Sequence, residues 1–438
     1  MRSGTSLSLA LLLATAVSCT KAHTFNVVDF GARPSVTACA DSSVIANNTT
    51  AFQKAIDTAA ICQGRVVVPE GVFTCGALYL KSHIELHLKD GAVLMASPDS
   101  ADYSPADVCP QSHPSKADKA SGRHFIVCNK ETDVSITGAG CINGNSTVFT
   151  VAPGGGPYMS KAEIPWRPSQ MLFFANCSNI RIEGIELADS PYWNCFFYGC
   201  DNISISSLNI HSRRNPVSYN GDGLDFDCCN RVKVRDCNIN TSDDCIAIRA
   251  DGRYLEGKQD CSDIDIRDCR LSSLTSAIRL GVGSGTISRI RACNIDVKDT
   301  RSVFTIVSGW SSKTDGVNVR DVVFRNFTVK NSVQLFLIYP KVARHDRYVR
   351  DVTFENISAR VELPGLLFGY EDAPYENINF RNVDCNTGLD VRYAGVNVSG
   401  GTLKLLSLSE EERTQVWDDY NRRKLEVRYN GFSEQPGL

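Results

Sequence analysis

The chain has 438 residues, 42% hydrophobic and 22% charged, with a formal net charge of −3. That composition is typical of soluble globular proteins. Near-neutrality excludes the global basic field that would hold nucleic acid or an acidic membrane, so a polyanionic partner would need a local basic patch. The length allows one large domain or two or three ordinary ones.

Arg2, the apolar run Leu7–Val17 and small residues up to Ala22 form the pattern of a secretory signal peptide over residues 1–22, too short to cross a bilayer. The expected location is therefore outside the cell, or periplasmic in a bacterium. Ala16-Val17-Ser18-Cys19 departs from a bacterial lipoprotein box in having Ala where Leu belongs. Any membrane attachment would be a lipid anchor at Cys19, because no later segment is long and apolar enough to span.

After the signal, Phe25–Ala32 reads as a strand. Thr50–Ala60 has apolar residues at helical spacing and reads as a short helix capped by Thr. Strands follow at Arg65–Pro69 and His83–Leu88. From there an apolar-x-apolar unit followed by a polar pair recurs, at Val134, Ile180, Ile203, Val232, Ile264, Ser288–Ile290, Val322, Val352 and Ile378. From Ile180 onward the intervals are 23, 29, 32, 24, 34, 30 and 26 residues. A constant core with variable spacing marks a solenoid with loops inserted on some turns. No amphipathic helix separates the units, which excludes βαβ repeats.

The expectation is an all-β fold, a single-stranded right-handed parallel β-helix over residues 23–400 with a short N-terminal capping helix. Leu403–Arg428 is charged and partly helical in pattern, so residues 401–438 are a C-terminal cap or a loose tail. Pro153–Pro157 is a Gly-rich loop without the pattern of a phosphate cradle.

Among the 18 cysteines, Cys177, Cys200, Cys229 and Cys261 each precede an alternating strand, and Cys237, Cys269 and Cys293 each follow one. One cysteine per coil suggests two ladders of buried free thiols, whereas Cys39, Cys62, Cys75 and Cys109 are the disulfide candidates. There is no CxxC pair, and no metal site or other cofactor is expected. Nine Asn-x-Ser/Thr sequons, at Asn47, Asn48, Asn145, Asn176, Asn202, Asn240, Asn326, Asn356 and Asn397, permit glycosylation in a eukaryote.

Two carboxylate-rich segments, Asn220-Gly221-Asp222-Gly223-Leu224-Asp225 and Thr241-Ser242-Asp243-Asp244-Cys245-Ile246, start 21 residues apart. In a solenoid, residues one coil apart become neighbours at about 4.8 Å, so Asp222, Asp243 and Asp244 should converge. Clustered carboxylates repel, and at least one pKa should rise, which yields an acid and a base from one residue type. An isolated Asp-Gly or Asp-Asp would merely favour a turn.

The segments FNVVDFGA, VVVPEGVFTCGALYLKSHIELHLKDGAVLMAS, GAGCINGN and RPSQMLFFANCSNIRIEGIELADSPYW, in that order, resemble the polygalacturonase-like glycoside hydrolases of family 28 over roughly residues 25–385. That family's signature, Asn-x-Asp and then Asp-Asp about 20 residues on, matches Asn220-Gly221-Asp222 and Asp243-Asp244. The resemblance implies inverting hydrolysis of a pectic polysaccharide, with Asp243 as acid and Asp222 and Asp244 as the base pair. Which of the adjacent aspartates is the acid stays open on sequence. Inversion needs roughly 6.5–9.5 Å between carboxyls, which requires the side chains to splay.

The chain also departs from the family. Thr275–Gly281 stands where Gly-His-Gly is expected, and Ser302–Val307 where Arg-Ile-Lys would hold the substrate carboxylate. Arg249 and Arg279, together with Lys341 and Arg344 from a basic loop, are the candidate replacements, and Asn220 is a candidate for holding an Asp or the substrate. Trp193, Tyr192, Trp310 and Tyr339 are candidate sugar platforms, whereas His211 and His345 have no evident role. A rhamnogalacturonan or other pectic sugar fits as well as polygalacturonan. The alternatives are a β-helix lyase or epimerase using Ca²⁺ or a basic residue, and a carbohydrate-binding solenoid that has lost catalysis. The expected partner is a polysaccharide, with no nucleic acid, and the expected state is a monomer.

Overall fold

The computed structural model describes residues 23–35, 41–106, 119–149, 166–212, 220–257 and 260–430, with side chains of the last segment described through Arg423. The apolar N-terminal segment, Cys39, Cys109 and Pro153–Pro157 lie outside these residues.

Within them, thirty strands pair in parallel with their equivalents on neighbouring coils. The isolated bridge Ser35–Val72 is antiparallel. The repeat core is in strict register: Ile180, Ile203, Val232, Ile264, Ile290, Val322, Val352 and Ile378 stack directly on one another. These residues form the second of three faces. The third is short, for example Glu186–Ala188, Asn209–His211 and Asn238–Thr241. The first carries Leu172–Ala175, Cys195–Tyr198, Leu224–Asp227, Ile246–Ala250, Ser276–Gly283 and Ser302–Val307. The chain is a right-handed parallel β-helix.

Corners between faces demand a left-handed backbone, which Asn and Asp tolerate better than most residues. Residues of positive φ therefore recur once per coil, as at Asp268, Asn294, Asn326, Asn356 and Asn382. Their amides form a ladder: Nδ2 of Asn326 donates to Asn294 at 2.9 Å, Asn356 to Asn326 at 3.1 Å and Asn382 to Asn356 at 3.2 Å. Two of these rungs, Asn326 and Asn356, are sequons.

The interior stacks like on like. Phe174, Phe197 and Phe226 lie with centroids 5.0 and 5.3 Å apart. Phe324, Phe354 and Phe380 form a second column at 5.3 Å per step. The first cysteine ladder, Cys177, Cys200, Cys229 and Cys261, is buried as expected, while the second is buried at Cys237 and Cys269 but half-open at Cys293. Cys62 and Cys75, expected to be bridged, are free thiols.

The N-terminal helix corrects the sequence reading. α1 runs Ser42–Cys62 and is capped by Asp41, whose carboxylate accepts from Ser43 N at 2.8 Å. The polar stretch Asn47–Thr50 that looked like a boundary is helical. Thr49 and Thr50 return their hydroxyls to the carbonyls of Ile45 and Ala46, and buried Asn48 bonds both the N–H and C=O of Arg33. Phe52, Ala55, Ile56 and Ala59 close the first coils.

The C-terminal segment is a docked helix rather than a loose tail. α2, Glu410–Asn430, begins with a reciprocal cap between Ser409 and Glu412 and lies against the outside of the first face. No helix of the described residues is long and apolar enough to cross a membrane.

Phe354 touches Phe304, Phe324, Phe336 and Phe380 and is fully buried. Phe354→Ala should cost about 3–5 kcal/mol, read as a lowered urea midpoint. A loss below about 1 kcal/mol would mean that the column collapses to fill the gap.

Candidate active site

The three aspartates converge as coil stacking requires. Asp222 precedes the strand Leu224–Asp227, and Asp243-Asp244 precede Ile246–Ala250 on the next coil. One oxygen from each lies within 4.8 Å of the others. They stand in a cleft of about 880 Å³ on the first face, lined also by Trp193, Arg249, Arg279, Trp310, Lys341 and Tyr420. Gly223 is required here, because a Cβ would fall 2.5 Å from the Cys245 carbonyl.

The aspartates differ in surroundings. Asp222 is buried, its Oδ1 has no hydrogen-bond partner among the described residues, and its pKa is driven well up by burial and by the charges of Asp243, Asp225 and Asp244. Asp244 is also buried, and burial raises its pKa, but the Arg279 guanidinium is in contact with its carboxylate and opposes that rise. This contact is a charge pairing rather than an aligned hydrogen bond. Arg279 also lies 3.9 Å from Asp222. Asp243 is half-buried and faces the cleft, accepting from Asn220 Nδ2 at 3.1 Å and from Thr275 Oγ1 at 2.7 Å. The Thr275 hydroxyl also reaches Asp244 Oδ1 at 3.0 Å. A hydroxyl has one proton, so it donates to one carboxylate and accepts from the other only if that one is protonated.

Asn220 is itself held. Its Oδ1 accepts from the fully buried Arg167, whose guanidinium also donates to the Pro191 carbonyl and lies 4.5 Å from the Tyr192 ring. Arg167, Asn220 and Asp243 thus form one relay. Sequence reasoning quoted the Arg167-Pro168-Ser169 segment without giving Arg167 a role, since nothing local shows that it crosses to the next coils. Thr275 was missed for the same reason.

The proposed cations divide. Arg279 is committed to the aspartates, with its guanidinium 5.1 Å from the Trp310 ring. Arg249 is half-buried, pairs with Asp227 at 3.0 Å and lies 4.9 Å from the Trp193 ring. Lys341 is exposed at the cleft, 4.2 Å from the Trp310 ring. Arg344 is not brought to the cleft: its fork donates to the carbonyls of Thr314 and Ser311 and staples a loop. That corrects the expectation that it binds substrate, because backbone carbonyls already take its donors.

All four aromatic candidates, Tyr192, Trp193, Trp310 and Tyr339, line the cleft, with Tyr192 largely buried and Tyr339 packed by Trp417 at 5.1 Å. His345 pairs with Asp372 at 2.6 Å, away from the cleft. The aspartates are also the one cluster among the described residues with cation-ligating spacing. Ca²⁺, however, takes six to eight oxygens, and here Arg279 would face the ion directly, so the residues do not fit it.

Residues 59–256 match the family model described as glycosyl hydrolases family 28. A probable polygalacturonase from Vitis vinifera is 28% identical over 84% of this chain and 75% of its own length. The chain is polygalacturonase-like, with residues 59–256 carrying the family 28 pattern. An exo-poly-alpha-D-galacturonosidase from Dickeya chrysanthemi is 25% identical over 76% of this chain and 60% of its own length. The exopolygalacturonase structure from Thermotoga maritima superposes with a TM-score of 0.69 at 21% identity, covering 87% of this chain and 92% of that one. The chain is a polygalacturonase-like hydrolase, a glycosidase.

Asp225 adds a titratable group. It points outward on the first face, in register between Phe196 and Ala247, fully buried with neither carboxyl oxygen bonded among the described residues. Burial pushes its pKa up to about 8, against the pull of Arg249 and Arg279. A carboxyl whose folded pKa is raised stabilises the fold fully below the unfolded value, about 3.9, and that contribution is lost as pH rises through the folded value. Asp225→Asn should therefore gain stability relative to the parent as pH goes from 4 to 8, read from denaturant midpoints at several pH values. A pH-independent difference would show that Asp225 titrates normally.

Proposed function

We propose that this chain is a secreted enzyme that hydrolyses a galacturonate-containing pectic polysaccharide by an inverting acid/base mechanism. The observation that carries this reading is the trio of aspartates at a cleft, one whose pKa burial drives well up and one whose rise the Arg279 guanidinium opposes. A signal-like N-terminus supports secretion.

In this reading Asp243, the half-exposed member, delivers its proton to the glycosidic oxygen as the bond to the anomeric carbon breaks. A water molecule attacks the anomeric carbon from the opposite face and gives its proton to the Asp222–Asp244 pair, with Asp244 as the ionised acceptor. Arg167 and Asn220 position Asp243, and Arg279 positions Asp244. Lys341 and Trp310 supply a cation and an apolar face for a uronate sugar. The names of the galacturonan-acting relatives support that substrate class, and Lys341 replaces the cations missing at Ser302–Val307.

One observation favours a second reading. Oxygens within 4.8 Å of one another are closer than the roughly 6.5–9.5 Å usual for inversion and nearer the about 5–5.5 Å of retaining pairs. The splaying that inversion was expected to need is absent between these oxygens. Inversion is still preferred, because each carboxylate is already engaged: Asp244 by Arg279, Asp243 by Asn220 and Thr275, with Asp222 neutral. None is a free nucleophile.

Asp243→Asn should lower turnover on polygalacturonan by about 10²–10⁴-fold while leaving substrate binding within a few-fold, measured by reducing-sugar release and calorimetry. The anomer first formed, followed by proton NMR, should be inverted. Unchanged turnover in the variant would overturn the assignment, retention would select the second reading, and an unsaturated, ultraviolet-absorbing product would identify a lyase.

A further inference from the structure

The groove holding the aspartates runs along the outside of the first face. Its floor is a column in strict register, Asp225, Ala247, Arg279, Thr305, Leu337, Leu366 and Asp390, one residue per coil. The middle of this column lines the cleft, through Arg279, Thr305 and Leu337. The last part does not. Leu366 and Asp390 are wholly buried, and α2 is what covers them.

α2 is fastened along its length. Arg413 pairs with buried Asp390 at 2.9 Å, and Asp390 also accepts from Leu408 N at 3.0 Å. Val416 and Tyr420 pack on Val333, Leu337 and Leu366. Trp417 meets Tyr339 edge-to-face at 5.1 Å, and the Arg301 guanidinium lies 4.4 Å from the Tyr420 ring. Arg423 pairs with Glu362 at 3.0 Å. From Arg413 to Tyr420 the helix advances seven residues, about 10 Å at 1.5 Å each. From Asp390 back to Leu337 is two coils, also about 10 Å. The helix therefore runs along the groove against the direction of the coils, and its leading residues Trp417, Tyr420 and Asn421 line the cleft. Tyr420 comes close enough to the catalytic candidates for the Asp244 charge to add to the rise that burial gives its phenol.

We infer that α2 is the end stop of the substrate cleft. Trp417 and Tyr420 cut off the groove about three coils, roughly 14 Å, beyond the aspartates on the C-terminal-coil side. A polysaccharide can then extend past the cleavage point on that side only as a short stub, so the enzyme removes a fragment of constant size from one chain end. This inference rests on the hydrolase reading above and adds to it the mode of attack. The aromatic faces of Trp417 and Trp310 bound the space that the stub fills.

The test uses the full chain, with Trp417→Ala and the double variant Trp417→Ala/Tyr420→Ala, each checked for native circular dichroism. End-labelled oligogalacturonides of increasing length serve as substrates. The parent should release one fragment size whatever the chain length, whereas the variants should give several sizes through internal cuts. Mixed internal cutting by the parent, or an identical single-fragment pattern in a folded double variant, would overturn the inference.

A second measurement does not depend on turnover. In an Asp243→Asn background, calorimetric affinity for the same oligomers should level off at short length. Adding Trp417→Ala should lower the Kd for the longest oligomer about tenfold, or about 1.4 kcal/mol. A plateau without hydrolysis by the parent would remove the hydrolase reading and keep the end stop. Affinity that rises with length in the parent background, or absence of binding at every length, would remove the end stop.

Discussion

Parallel coils stacked at the spacing of a backbone hydrogen bond make each side chain the neighbour of its equivalents about 4.8 Å above and below. Every other feature of this protein follows from that constraint. Apolar residues become columns, as with Phe324, Phe354 and Phe380. Corner amides become a ladder, as with Asn294, Asn326 and Asn356. At the start of the first face, the same stacking presses three carboxylates into one patch that no sequence-local force would assemble.

Such a patch is costly, because buried like charges repel and lose hydration. The structure offsets that cost in two ways. Asp222 takes a proton more readily, and Arg279 places a cation against Asp244. The second device uses the outward position one coil after Ala247, where a small side chain leaves room for the long one. The Trp310 ring lies within reach of both Arg279 and Lys341, so one indole neighbours the aspartates' counter-charge and the lysine exposed at the cleft. One cation is thus committed to the aspartates, while Lys341 stays exposed at the cleft.

Reading the sequence reached the repeat, its register and the meeting of Asp222, Asp243 and Asp244, because these depend on spacing alone. It placed α1 too short, because Asn and Thr favour turns when isolated, and here Asn48 is rewarded by bonds to Arg33 that lie outside the helix. It offered Arg344 as a substrate cation, because charge is visible in a sequence and the carbonyls that occupy it are not. Arg167 and Thr275 went unseen, because each acts on a residue more than thirty positions away.

The order of residues by itself determined the solenoid and the carboxylate cluster, since periodic spacing converts directly into stacking distance. Only the tertiary structure decided which aspartate is buried, which is paired and which faces the cleft. It also decided that the charged C-terminal segment lies along the groove as α2. Those outcomes depend on burial and on contacts between distant coils, and neither has a local signature in the chain.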